Sequence, residues 1–346
     1  MKNNKNNKGE IMNKFTKVGI SALAGSLASF SAQAVEMSVA GSAKLTYFNN
    51  HQTEVTGNPY GMNTSLAFTG SGEVNGYATA LTIVNNDANT GLSSASLSVD
   101  FADMGKVTFD QGVGAGGIST IDDKTPTAAE EVWDGLDATT GIGNGLVGGG
   151  NSGVFVYANS YAGFDLSAQV SKGSRVANTD DATSGVGGSG TSWDFALTTD
   201  GAQLGVDGMT AGLGYGEIAN GAQSGAGNTD TDEHMVVFAN YAFGMATVGV
   251  SAAQVDHGAA AKESETAMAF GIAVNVNDNL SVSYGEREID HSKAGATHVD
   301  EEIRGFAVAY TMGAAKITAQ QNETKDNGGT AGSDDESTQI ALSLSF

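Results

Sequence analysis

Asp122, Asp123, Glu130, Glu131, Asp134 and Asp137 crowd one short stretch of the chain, with Lys124 as the single basic residue among them. Carboxylates confined together are a strong source of negative potential, and a narrow, low-dielectric surround makes that potential felt by passing ions. The sequence assigns no metal to them. Thr127 with Glu130 three residues on fits a capping box and Gly135 fits a stop, so a single helical turn is expected there. His51, His234, His257, His291 and His298 fall at the ends of apolar-alternating segments or between them, where solvated surface rings are expected. Asp256-His257 and Asp290-His291 have the composition of acid–base pairs, but no third group accompanies either, so no catalytic residue is expected. Gly112, Gly114 and Gly117 precede neither a helix-opening pattern nor a phosphate-binding lysine, which argues against a nucleotide loop. No cofactor is expected.

The elements that must position these groups are strands. The acidic cluster lies in a Gly-rich connection over residues 113–151, between Lys106-Val107-Thr108-Phe109 and Val154-Phe155-Val156-Tyr157. Connections of that length in a compact domain are uncommon and usually functional or disordered. On both sides the chain alternates with period two. Val39, Gly41, Ala43, Leu45 and Tyr47 interleave with small polar residues; Met268, Phe270, Ile272 and Val274 interleave with Ala and Gly; and Ile340, Leu342, Leu344 and Phe346 close the chain. Reading every such run gives sixteen segments, with short links near 75, 104, 162, 244, 278 and 313 alternating with long polar ones. Only the link at 200–206 exceeds its class, and the run 233–243 is ambiguous because Met235, Val236, Val237 and Phe238 are apolar at both parities.

Transmembrane strands need about 9–11 residues, and outer-membrane barrels pair short turns at one end with long loops at the other. The fold expected is therefore an all-β, transmembrane antiparallel barrel of about sixteen strands, with 113–151 folded into the lumen. Parity then sorts the cations: Lys44, Lys106, Arg287 and Lys316 face the lumen, whereas Arg304 shares the outward parity of Phe306. A secreted acidic β-rich surface protein is the soluble alternative, and a solvated outer loop is the plainer reading of 113–151. No short fixed repeat supports a solenoid or propeller.

Composition agrees with export. The chain has 16 Lys+Arg against 39 Asp+Glu, a formal charge of -23, which disfavours nucleic acid as a partner. Cysteine is absent, and the only two prolines, Pro59 and Pro126, fall outside the strand-like runs. Lys14 and Lys17, the apolar run from Val18 to Phe30, and Ala32-Gln33-Ala34 have the layout of a cleaved secretory signal over residues 1–34, with Met12 as a possible initiator. A retained anchor would need roughly 20 apolar residues. Cleavage removes five Lys and one Glu, leaving 11 basic and 38 acidic residues in a domain spanning 35–346.

Phe101-Ala102-Asp103-Met104-Gly105-Lys106-Val107-Thr108-Phe109, the long acidic segment, and Val156 to Ala168 resemble, in that order, the fifth strand, third loop and sixth-to-seventh hairpin of the general porins of Gram-negative outer membranes, in their alphaproteobacterial form. The terminal Phe346 resembles that family's signal to the barrel assembly machinery. The resemblance implies a homotrimer in outer-membrane lipid that passes small hydrophilic solutes and ions, with the third loop as constriction. The short second loop, 87–92, implies no latch onto a neighbouring subunit. Six loop carboxylates facing four lumenal cations lead to an expected cation preference. A substrate-selective channel of the same fold is the alternative function.

Overall fold

The computed structural model describes residues 36–50, 58–86, 94–111, 116–136, 153–172, 191–219, 231–258, 264–291 and 298–346. The signal-like segment, the second loop, His51 and Asp137 lie outside the described residues. Sixteen strands follow one another: β1 (Glu36–Asn50), β2 (Tyr60–Val74), β3 (Tyr77–Asn86), β4 (Ser94–Asp100), β5 (Lys106–Asp110), β6 (Val154–Tyr161), β7 (Phe164–Lys172) and β8 (Thr191–Asp200). The second half contains β9 (Met209–Ala219), β10 (Thr231–Phe243), β11 (Ala246–Asp256), β12 (Glu265–Asn275), β13 (Leu280–His291), β14 (Glu301–Met312), β15 (Ala315–Lys325) and β16 (Asp335–Ser345).

Each strand pairs antiparallel with its sequence neighbours, and β1 pairs with β16 to close the barrel. Closure gives every ladder a partner, which is the condition for a sheet to stand in hydrocarbon. The alternation sets the two faces. Leu45, Phe68, Leu97, Phe270, Phe306 and Ile340 are exposed on the outer surface, while their strand neighbours Lys44, Thr69, Ser98, Gly271, Ala307 and Ala341 face in.

The tight turns gather at one end. Asn75 and Gly76 have φ of 53° and 85°, and Ala162 and Gly163 have 54° and 81°, the left-handed pairs that match the twist of two-residue hairpins. The link after β4 is a 3₁₀ turn, Ala102–Met104, so β4 and β5 are shorter than the periodicity predicts. The long link after β8 contains a single helical turn, α1 (Gly201–Leu204), capped by the Asp200 carboxylate accepting from the Ala202 amide.

The ambiguity of 233–243 has a physical cause. Met235 and Val237 face outward, but Val236 and Phe238 are buried inside the barrel at 1% and 8% exposure. They join a lumenal apolar cluster with Ile118, Ile121, Ala196, Val255, Ala267, Ile289 and Ile303. Both parities are apolar because one faces hydrocarbon and the other faces the internal loop.

Candidate functional site

The described part of the long connection, residues 116–136, lies against the inner wall of the barrel. It enters on a 3₁₀ turn at Gly117–Thr120. Asp194 of β8 accepts from the Ile118 amide at 2.7 Å, and Ser167 of β7 accepts from the Gly117 amide at 2.9 Å. Ile118 and Ile121, at 0% and 1% exposure, drive this docking, since full burial of each side chain contributes about 1.5–3 kcal/mol.

From there the segment crosses the strands. Asn240 of β10 donates to the Lys124 carbonyl at 2.6 Å, and Ser283 of β13 accepts from the Ala128 amide at 2.9 Å. Gln320 accepts from the Glu130 amide and donates to Asp134, while Asn322 donates to the carbonyls of Glu131 and Asp134. Thr127 does not open a helix as the sequence predicts. Its hydroxyl donates to the Glu130 carbonyl and accepts from the Ala129 amide, so a side chain closes the turn where a helical ladder would have done so.

The wall is shaped to receive this backbone. Gly249, Gly271, Gly285 and Gly305 stand directly opposite one another on β11, β12, β13 and β14. A Cβ placed at Gly271 would lie 2.8 Å from the Pro126 carbonyl oxygen, and one at Gly285 would lie 2.7 Å from Val132 Cγ1. The row is a groove made of missing side chains. Sequence reading noted glycines at inward parity but not that register aligns them.

Among the lumenal cations expected, Lys44 reaches Glu130 at 2.8 Å. The Arg287 guanidinium stacks 4.2 Å over the Trp133 ring, at the end of the loop's docked stretch. Lys106 lies apart from them, lining with Lys124, Thr120, Asp100, Ser160 and Thr198 an open cavity of about 530 Å³ between the loop and the β4–β8 wall. Lys316 sits near the tight-turn end of β15, below the loop's contact at Gln320. Arg304 faces out between Glu302 and Glu323, each at 3.2 Å.

The loop carboxylates are not equivalent. Burial, reinforced by Asp123 beside it, holds Asp122 up to about 7. Burial and a hydrogen bond to Asp123 raise Glu131 to about 7 as well. Burial and the nearby Glu130 charge raise Asp134, while Lys44 and the Gln320 amide oppose that shift. Asp123 lies 3.9 Å from Lys124. Among the described residues, no group of three or more His, Asp or Glu is arranged to hold a metal ion.

The histidines correct the sequence reading. His234 and His291 are 7% and 3% exposed, turned into the barrel, and are not solvated surface rings. Neighbours on a strand project to opposite faces. Asp256 and Asp290 therefore point away from the histidines that follow them, and His257 and His291 take Asp232 and Glu301 as partners instead. Their inward direction was legible from parity, but their carboxylate partners sit on neighbouring strands and emerge only with the register.

A closed sixteen-strand barrel, apolar outside, lined within by polar and small residues beside an apolar patch that seats the loop, defines a membrane-spanning diffusion channel. The profile of the Gram-negative porins matches residues 19–306, and the chain belongs to that family. No curated protein matches it in sequence. Among solved structures it is similar to the anion-selective porin from Comamonas acidovorans, with a TM-score of 0.61 and 13% identity over 90% of this chain and 100% of that one. OmpT, an outer membrane protein of Vibrio cholerae, gives 0.64 and 11% over 92% and 99%; Salmonella typhi OmpF, in complex with daunomycin, gives 0.63 and 12% over 90% and 98%. The protein is an outer-membrane porin. At these identities the likeness is one of fold, so the sign of ion preference must come from this chain's own charges.

Proposed function

We propose that the protein is a passive, cation-preferring pore for small hydrophilic solutes and ions, working without a reaction or cofactor. The observation that carries this reading is the distribution of charge along 116–136. Glu130 is paired with Lys44, but Asp122 and Glu131, both raised by burial, each lie against Asp123, with Lys124 nearby. Carboxylates in a confined aqueous passage favour cations, and salt weakens them because the Debye length falls from about 10 Å at 0.1 M to about 3 Å at 1 M. The loop is the constriction in this reading, Asp137 extends its acidic set, and Lys106 and Lys316 are its distant counter-charges. The resemblance to general porins supports export with loss of residues 1–34, recognition of Phe346 by the assembly machinery, and a homotrimer.

Reversal potentials across a planar bilayer in a KCl gradient test the reading. The native channel should favour K⁺, and Asp122→Asn, Asp123→Asn and Glu131→Gln together should move the potential toward zero while leaving the Lys44–Glu130 pair intact. Anion preference in the native channel, or an unmoved potential in the triple variant, would remove the loop from this role.

A further inference from the structure

The cavity of about 530 Å³ between the loop and the β4–β8 wall lies beside the tight turns of the barrel. Register builds its wall. Lys106, Ala158, Ser167 and Ala196 stand opposite one another on β5, β6, β7 and β8, and Asp165 and Thr198 form the next row toward the turns. Three small side chains in a row hollow the wall, and Thr120, Ile121 and Lys124 of the loop close the opposite side.

The charged groups around this recess are not equally engaged. Asp100, across the ladder from Lys106, accepts from the Ala102 amide at 2.8 Å, and Asp165 accepts from the Ser160 hydroxyl. Lys106 has no ion pair or side-chain hydrogen bond among the described residues, and neither has the Thr198 hydroxyl. The Lys124 ammonium lies 3.9 Å from Asp123, beyond hydrogen-bond distance, with the charge of Asp122 also near. The carboxylates thus hold donors already, while two ammonium groups and a hydroxyl keep theirs to give. Ile121 and Ala196, packed together, add an apolar face.

We propose that this recess is a solute subsite of the pore, which takes small hydroxylated carboxylates of the size and chemistry of a sugar acid. The solute carboxylate lies between Lys106 and Lys124, because charge-assisted hydrogen bonds are about twice as strong as neutral ones. Its hydroxyls meet Thr198 and the lone pairs that Asp165 has left, and its carbon chain lies on Ile121 and Ala196. Small-molecule sites run from roughly 300 to 1,000 Å³, and the recess falls within that range. A neutral sugar leaves both ammonium groups without a partner. An anion lacking hydroxyls makes no use of the second row. No bond is made or broken, and the solute pauses at the recess before it leaves. The subsite rests on the pore reading but not on the sign of the pore's ion preference, since it acts by contact with one solute and not through the summed field.

Single-channel currents of the full-length protein in a planar bilayer test it, with potassium gluconate replacing part of the KCl at constant ionic strength. Gluconate should interrupt the current with a saturating dependence on its concentration, whereas sorbitol and acetate at the same concentrations should not. In Lys106→Gln/Lys124→Gln, with folding checked by heat-modifiable gel migration, the half-blocking concentration should rise by about tenfold or more, the loss expected for one charge-assisted contact. Lys316→Gln removes a lumenal cation outside the recess and should leave that concentration where it was. Equal block by sorbitol or acetate, an unchanged value in the folded double variant, or an equal rise in Lys316→Gln would overturn the proposal. If the double variant does not fold, the three-solute comparison on the native channel decides. Open channels that gluconate leaves undisturbed sink the subsite alone, while a folded, inserted protein that passes no current sinks the pore reading and the subsite with it.

Discussion

Two carboxylates of the internal loop are poised to change charge near neutrality. Asp122 and Glu131, both held up to about 7, are largely neutral below that value and charged above it. Cation preference should therefore increase from pH 6 to pH 8 when reversal potentials are followed at constant salt, and a flat profile would show that burial does not govern these groups. The linked effect on docking has the opposite direction. A carboxylate whose pKa rises on docking favours the docked loop below its ordinary pKa, and that contribution is lost as pH climbs through about 7. Hydrophobic anchoring should resist this loosening. Ile118→Ala removes one anchor at a cost of about 2–5 kcal/mol to the seated loop, and open-channel current noise should rise while the barrel still forms.

Strands and the loop they carry were legible to different degrees. Period two located all sixteen strands because each must satisfy hydrocarbon on one face. Ile272 pairs with Val248 and Tyr284 on the outer face, so Ile272→Lys should cost about 2–4 kcal/mol near the midplane. Ala273→Lys faces water and should fold, with altered conductance as its only mark; the reverse ranking would invert the assigned faces. Urea titration in detergent measures both. The course of the loop was not legible. Its acidic composition marks an unusual segment, but which wall it follows depends on Asn240, Ser283, Gln320 and Asn322, polar residues typical of any lumen. The histidines misled for a related reason, since a ring at a strand end reads as solvated until the register brings carboxylates on adjoining strands beside it.

The whole molecule depends on one seam. The Phe346 amide donates to the Gly41 carbonyl at 2.9 Å, and the Gly41 amide returns a bond to the Phe346 carbonyl at 2.7 Å, continuing the β1–β16 ladder to the last residue. Deleting Phe346 removes both bonds and an outward ring that is 75% exposed. The yield of folded, heat-modifiable barrel should drop, and unchanged yield would assign the seam's stability to the rest of β1 and β16. The glycine row on β11–β14 bears on how such a barrel reaches its final form. A slip of one residue between any two of these strands would turn Phe270, Tyr284 or Phe306 into the groove and break it. Pro126 and Val132 could not then seat. The seated loop thus fits one pairing of β11 to β14 and no other, so it acts as a gauge of register for that part of the wall.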